Sequence, residues 1–311
     1  MKVKLFTHTD LDGIGCVIIA KLAFPTVDIE YCNYDDINEK ILNYMTTDGY
    51  KNFDLTYITD ISVNEKVAEI IDEICKPESF VLLDHHKTAL WLNKYRWTCI
   101  SEYIDENTKH SGTEMLYHNI INYYINEVEF RHVDLTNAFG FVEIVRQYDT
   151  WEFKTKYNNI LPKQVNDLMY LLGRDEFIDN AIYQIIMLHE YKLTVDNFML
   201  LKKNQEKIDK YIESKDKSII VTDIQGYKAG VVFAERYSSE LGNKLSELHP
   251  ELDFIAIINP SHSVSYRTVK DVDLSVIAGV YGGGGHPKAS GSSIGDYTRN
   301  EIINLMFGKS Q

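Results

Sequence analysis

Residues 79–86 read Ser79-Phe80-Val81-Leu82-Leu83-Asp84-His85-His86, an apolar run that ends in three titratable side chains. A run this short and this apolar predicts a strand buried on both faces, the kind found inside a parallel sheet. Three titratable groups at the end of a buried strand are costly unless they pair or bind a metal. Two other strand-like runs end in the same way. Val3 to His8 leads into His8-Thr9-Asp10-Leu11-Asp12, and Leu55-Thr56-Tyr57-Ile58-Thr59 leads into Asp60. In an α/β protein the carboxyl ends of neighbouring strands gather at one rim of the sheet, so these residues are expected to converge as a cluster of Asp and His. Carboxylates mixed with imidazoles suit Mn²⁺, Mg²⁺ or Zn²⁺, and a cluster this large points to two metals.

The rest of the first hundred residues supports that frame. Helical patterns over Gly13 to Ala23, Ile37 to Met45 and Val63 to Cys75 alternate with strand patterns over Val3 to His8, Asp28 to Tyr34, Leu55 to Thr59 and Phe80 to Asp84. Such alternation means parallel βαβ units. Residues 111 to 213 are read as almost wholly helical, over Thr113 to Tyr124, Leu135 to Tyr148, Lys163 to Leu172, Asp175 to His189 and Asp196 to Glu213. A second, smaller α/β domain is expected from about residue 216. Its strands are Ile219 to Thr222, Ala229 to Phe233, Phe254 to Ile258 and Ser263 to Thr268, its helices Ser239 to Leu248 and Leu274 to Val280, and a glycine run precedes a final short strand. The expected organisation is a catalytic domain over 1–190, a helical linker over 191–215 and a second domain over 216–311, with ligand bound in the cleft between the two domains.

Composition narrows the function classes. A net charge of −14 argues against gripping long nucleic acid through its phosphates, which requires a basic face. A short anionic substrate remains open, because bound cations dominate the local field of a site. No apolar stretch approaches the roughly 20 residues that cross a bilayer, and the N-terminus enters a strand directly, so a cytoplasmic protein is expected. Cys16, Cys32, Cys75 and Cys99 lie in runs that read as buried and lack Cys-x-x-Cys spacing, so buried free thiols are expected. The 21 tyrosines fall mostly in apolar periodic segments and read as packing groups ahead of base-stacking ones.

Each candidate has a plainer reading. His8, Asp10 and Asp12 would share one side of an extended chain and aim at a common point, yet Asp10 or Asp12 could simply cap the helix that follows. Asp60 could be a cap as readily as a ligand. Asp149 ends the helix holding Val145-Arg146-Gln147-Tyr148-Asp149, where the dipole disfavours a carboxylate and so suggests another purpose. In the second domain, Gly282-Gly283-Gly284-Gly285-His286 offers amide donors suited to phosphate, with Lys288 nearby, although a glycine run could also be a flexible linker. Ser265 and Arg267 stand two apart in a strand and so share a face, and an Arg fork suits a phosphate or carboxylate.

Together these positions resemble the DHH phosphoesterase superfamily: His8-Thr9-Asp10-Leu11-Asp12 matches its first motif, Asp60 the second, Asp84-His85-His86 the third and Asp149 the fourth. Gly282 to His286, with Ala289-Ser290-Gly291, looks like the signature of the DHHA1 domain that accompanies one branch. Asp84-His85-His86-Lys87-Thr88-Ala89-Leu90 and Val145 to Trp151 are similar to the oligoribonuclease B type. The resemblance implies that His8, Asp10 and Asp60 hold one Mn²⁺, with Mg²⁺ as the alternative ion. It implies that Asp12, Asp60, His85 and Asp149 hold the other. His86 would contact the scissile phosphate, with Asp84 orienting an imidazole. Ser265, Arg267, the amides of Gly283, Gly284 and Gly285, and His286 would hold the far end of the substrate. The implied activity is degradation of short single-stranded RNA to mononucleotides, with no long duplex and no membrane as partner. Rival readings are hydrolysis of linear or cyclic dinucleotides or of 3′-phosphoadenosine 5′-phosphate, single-strand DNA exonuclease activity, and a nucleotide sensor without turnover. The sequence leaves the oligomeric state open, a homodimer included.

Overall fold

The apolar runs of the first hundred residues form five parallel strands, β1 (Lys2–Thr7), β2 (Thr26–Tyr31), β3 (Leu55–Thr59), β4 (Phe80–Asp84) and β5 (Thr98–Ile100), in the order β2-β1-β3-β4-β5. The computed structural model describes residues 1–74, 76, 79–124 and 134–308. Strand alternation assigns side chains to two cores. Val3, Leu5, Leu55, Tyr57 and Leu83 turn to one layer, while Phe6, Ile58, Phe80 and Leu82 turn to the other. The first layer is built on α1 (Leu11–Ala23), α4 (Gly112–Tyr124), α5 (Phe139–Asp149), α7 (Leu161–Leu172) and α8 (Arg174–Leu188), and the second on α2 (Ile37–Thr46) and α3 (Glu65–Ile74). Helix α1 is apolar all round, and every residue of it except Lys21 is buried, as a helix inside a layered core must be.

The chain divides into two units, Met1–Leu201 and Lys202–Gln311. The second begins within α9 (Val195–Asp216), because Ile208 and Ile212 of that helix pack against Val232, Leu241, Leu245 and Ile257. It contains a six-stranded mixed sheet in the order β12-β13-β11-β10-β9-β8. These strands are β8 (Ile220–Ile224), β9 (Tyr227–Phe233), β10 (Phe254–Asn259), β11 (Ser263–Arg267), β12 (Gly284–His286) and β13 (Ala289–Ser293). Helix α10 (Ser238–Leu248) covers one face with α9, and α11 (Leu274–Val280) covers the other.

Several expectations are corrected. The extended alternation of His8, Asp10 and Asp12 does not occur: the strand stops at Thr7, and the chain is helical from Leu11, so Asp12 stands in the first turn of α1. The helix over 135 to 148 opens with a 3-10 segment, Leu135–Ala138, before α5 proper. Cys99 is exposed, because β5 is a three-residue edge strand and position 99 turns outward, whereas Cys16 and Cys32 are buried thiols. Cys75 lies outside the described residues. The sequence reading omitted β5, the hairpin β6 (Tyr103–Asp105) with β7 (Thr108–Lys109), the short α6 (Glu152–Thr155) and the terminal α12 (Asp296–Phe307). None of the α12 residues is buried, so no periodic core face announced that helix. Among the described residues, no helix is long and apolar enough to cross a membrane.

Candidate metal centre

In the strand order 2-1-3-4-5 the connections leave β1 towards opposite sides, and ligands of such sheets bind at the carboxyl ends of the strands where that reversal occurs. The chain places His8, Asp10 and Asp12 after β1, Asp60 after β3, and Asp84 to His86 at the end of β4, all at that rim. Asp149 reaches the same place from the last position of α5. Ligand atoms of His8, Asp10 and Asp60 lie within 4.8 Å of one another, and so do those of Asp12, His85 and Asp149.

Asp60 joins the two groups. Its Oδ2 is 3.9 Å from His8 Nδ1, and its Oδ1 is 3.3 Å from His85 Nε2. That same His85 nitrogen is 3.7 Å from Asp12 Oδ2 and 3.4 Å from Asp149 Oδ2. Asp60 also holds φ at +57°, in the left-handed region that few residues other than glycine adopt and that concentrates at functional sites. Burial, followed by the charges of Asp12, Asp10 and Asp149, drives its carboxyl well above the ordinary range. Asp149 is raised for the same reasons, burial first and then Asp12 and Asp10. Asp60 Oδ2 is the one fully buried side-chain polar atom without a hydrogen-bond partner among the described residues. An orphaned carboxylate oxygen among three other carboxylates is what a cation site leaves when the cation is not counted. The donor set, carboxylate oxygen with imidazole nitrogen, fits a divalent metal.

Helix-end hydrogen bonding and metal ligation are compatible at Asp10 and Asp12. Asp10 Oδ1 accepts from Gly13 N at 3.1 Å and caps α1, while its Oδ2 lies 2.9 Å from His8 Nδ1. Asp12 accepts from the first amides of α4, Gly112 N at 2.5 Å and Thr113 N at 2.9 Å. A Cβ at Gly112 would lie 2.6 Å from Asp60 Cβ, so this approach requires glycine. Each carboxylate oxygen keeps a lone pair free for a metal after accepting one amide.

Asp84 differs. Its Oδ1 accepts from His85 N at 2.8 Å and lies 2.7 Å from His86 Nδ1, and its Oδ2 accepts from the Ser62 hydroxyl. With both oxygens engaged, Asp84 fixes the imidazole of His86. Burial works against its ionised form, but the hydrogen bond from His86 carries its pKa below the usual carboxylate range, and the same bond raises the pKa of His86. Burial pushes His85 down, which keeps that imidazole neutral and able to act as a ligand. The sequence reading missed Tyr34, whose hydroxyl lies 3.4 Å from His86 Nε2 and whose ring centroid is 5.1 Å from that of His8. Burial and the surrounding carboxylates push its phenol up to about 12. Nothing in its local sequence marks it, since it follows β2 in an ordinary turn. The reading also missed Arg146, which is 1% exposed and binds Glu143 and Glu152 one turn before Asp149.

In the second unit the predicted residues align across three strands. Ser265 pairs with Gly291, which pairs with Gly284, and Arg267 pairs with Ala289, which pairs with His286. Paired residues share a face, so the Arg267 and His286 side chains rise from one rung of the sheet. The glycine run is no linker, since Gly284–His286 is an edge strand. Added Cβ atoms at Gly283 and Gly285 would lie 2.0 Å from Gly291 O and 2.8 Å from Ser290 Cα, so strand packing alone demands glycine at both. The Arg267 guanidinium spends Nη1 on Tyr266 O at 2.8 Å and Nη2 on Ser239 Oγ at 3.1 Å.

No protein-family model matches the chain. It is 41% identical over 298 residues to oligoribonuclease NrnB of Bacillus subtilis, an alignment that covers 94% of this chain and 73% of that relative. Its fold matches the pGpG-specific phosphodiesterase PggH of Vibrio cholerae with a TM-score of 0.52 and 14% identity, over 98% of this chain and 97% of that one. It matches RecJ of Thermus thermophilus, solved in complex with Mn²⁺, with a TM-score of 0.52 and 10% identity, over 98% of this chain and 52% of that one. With four acidic motifs gathered at one sheet rim and that identity across nearly its whole length, the chain belongs to the DHH/DHHA1 phosphoesterase family, alongside oligoribonuclease NrnB.

Proposed function

We propose that this phosphoester hydrolase degrades short single-stranded RNA to mononucleotides with two divalent metal ions, Mn²⁺ in the first instance and Mg²⁺ as the alternative. The observation that carries the reading is the orphaned Asp60 oxygen between two groups of ligand atoms. His8, Asp10 and Asp60 would hold one ion, and Asp12, Asp60, His85 and Asp149 the other. Such a pair, when bound, activates water and stabilises the charge that develops on the departing oxygen. The remaining work belongs to the chain. The α4 amides hold Asp12 in place, and Asp84 accepts the Nδ1 proton of His86 and favours its protonated form, so that Nε2–H would donate to a non-bridging phosphate oxygen. Tyr34 keeps its proton at neutral pH and sits beside that nitrogen. The second unit would bind the other end of the substrate through Ser265, Arg267, Gly283, Gly284, Gly285 and His286. The net charge of −14 supports a short substrate, since an acidic exterior repels a long polyanion.

The test follows RNA and DNA oligomers from two nucleotides upward, labelled at either end, with Mn²⁺, with Mg²⁺ and with an Asp60→Ala control. Fast metal-dependent loss of the shortest RNA, abolished in the control, supports the proposal. Turnover confined to mononucleotides, or none at all, refutes it.

A further inference from the structure

We infer that Trp151 is a stacking platform for the nucleobase next to the phosphate at the metal centre. The inference rests on the proposed oligonucleotide substrate. Trp151 lies two residues beyond Asp149 and holds φ at +63°, a backbone conformation that is a true outlier for a bulky side chain. Strain of this kind persists only where the surroundings impose it, and it clusters where a side chain must be aimed. The aim is visible: Trp151 is 58% exposed and lines a cavity of about 470 Å³ together with His85, His86 and Asp149. That volume lies within the usual range of small-ligand sites.

The indole is also braced. Tyr148 meets it edge-on at 6.2 Å, and Phe153 meets it at 5.0 Å and 65°. The ring is therefore held from behind and bare in front, at little further entropic cost on binding. Lys87, Lys109 and Glu102 also line the cavity, and the Lys109 ammonium lies 3.6 Å from the Glu102 carboxylate. The backbone of Lys109 is clamped at both ends. Its N–H donates to Glu152 Oε1 at 3.0 Å, and its carbonyl accepts from the buried Arg146 at 3.0 Å. The segment that carries the tryptophan and the segment that carries the lysine are thus locked to one another through Arg146 and Glu152, which bond at 2.8 Å. A cavity that joins the candidate metal ligands His85 and Asp149 to an exposed aromatic ring suits a nucleoside next to the phosphate at the metals. Stacking accepts any base, so the subsite has little base preference.

The test is a cycle of ligands and variants that needs no turnover. AMP and base-free ribose 5-phosphate are titrated, with Ca²⁺ present, into the native protein, Trp151→Gly and Trp151→Phe. Glycine takes the φ of this position freely, so Trp151→Gly removes the ring without opposing the backbone. A thermal melt of each variant checks that it is folded. Stacking predicts that the native protein binds AMP roughly 5–150-fold more tightly than ribose 5-phosphate. That preference is expected to vanish in Trp151→Gly and to survive in large part in Trp151→Phe. AMP should also quench tryptophan emission in the native protein and not in Trp151→Gly, although Trp91 and Trp97 remain. An AMP preference that is absent in the native protein, or that is unchanged in Trp151→Gly, overturns the assignment. Oligomer hydrolysis is measured separately: a Trp151-dependent AMP preference without hydrolysis of any oligomer would sink the proposed function and leave the subsite standing.

Discussion

The rim of the first sheet and the glycine-rich ladder of the second unit both carry residues that the sequence reading assigned to ligand binding, but they are built on opposite terms. At the rim, carboxylates are buried against one another, Asp60 is held in a left-handed conformation, and one of its oxygens lacks a partner. In the ladder, Gly284, Gly285 and His286 are exposed, strand packing accounts for two of the glycines, and Arg267 already bonds backbone and hydroxyl oxygens. The first region is unfavourable without a cation. The second is satisfied as it stands. The difference teaches that chemistry should depend steeply on the first region, whereas the second should tune affinity.

The largest effect expected is at Asp60. Asp60→Asn keeps the shape and tolerates the left-handed backbone, yet it should lower kcat by at least roughly 10³-fold, more than the 10–100-fold typical of a residue behind a metal ligand. The same variant should stabilise the metal-free protein by about 1–3 kcal/mol, the cost of an unsatisfied buried group, as read by denaturant midpoint. A variant that is both less stable and still active would dissolve the contrast. Next comes Arg146→Ala, which takes from the buried Glu152 its nearest cation and leaves it the Lys109 amide and Lys156 at 3.9 Å. A loss of about 3–5 kcal/mol of stability is expected, as for other buried pairs broken on one side. A loss of less than about 1 kcal/mol would mean that the clamp on Lys109 holds nothing.

Arg267→Ala should raise KM for a trinucleotide by about 10–100-fold, the worth of one charge-assisted contact, and should leave kcat within a few-fold. A collapse of kcat at saturating substrate would move Arg267 into the chemistry. The smallest effect is on pH. In EDTA, the raised carboxyls of Asp60 and Asp149 favour the folded state at low pH, and that contribution is lost as pH rises through their folded values. The raised His8 and His86 act with the same sign: their contribution is complete below about 6.5 and is lost above it. The metal-free protein should therefore be more stable at pH 6 than at pH 8, with the depressed His85 acting in the opposite sense and shallowing the slope. Saturating Mn²⁺ should reverse the slope, because its ligands must be deprotonated.

Why some of this was legible follows from where each signal resides. The β1, β3 and β4 runs are apolar because a parallel sheet buries both faces, so strand ends, and the acids on them, could be placed from sequence. Asp149 was legible because a carboxylate at a helix C-terminus opposes the dipole. The manner in which Asp12 is held was not, since its partners Gly112 and Thr113 lie a hundred residues away and join it only through the packing of α1 against α4. Tyr34, Arg146 and the strained backbone of Trp151 are tertiary facts of the same kind. The glycine run was legible as important but not as a strand, because the close approach of Gly283 to Gly291 depends on a pairing that the sequence does not announce.

The most direct test of the central claim is an anomalous difference map at the manganese edge from crystals grown with MnCl₂. The account predicts two peaks at the rim, about 3.5–4 Å apart, one beside His8 and Asp10, the other beside Asp12, His85 and Asp149, with Asp60 between them. An empty rim, or manganese bound only elsewhere on the chain, would contradict it.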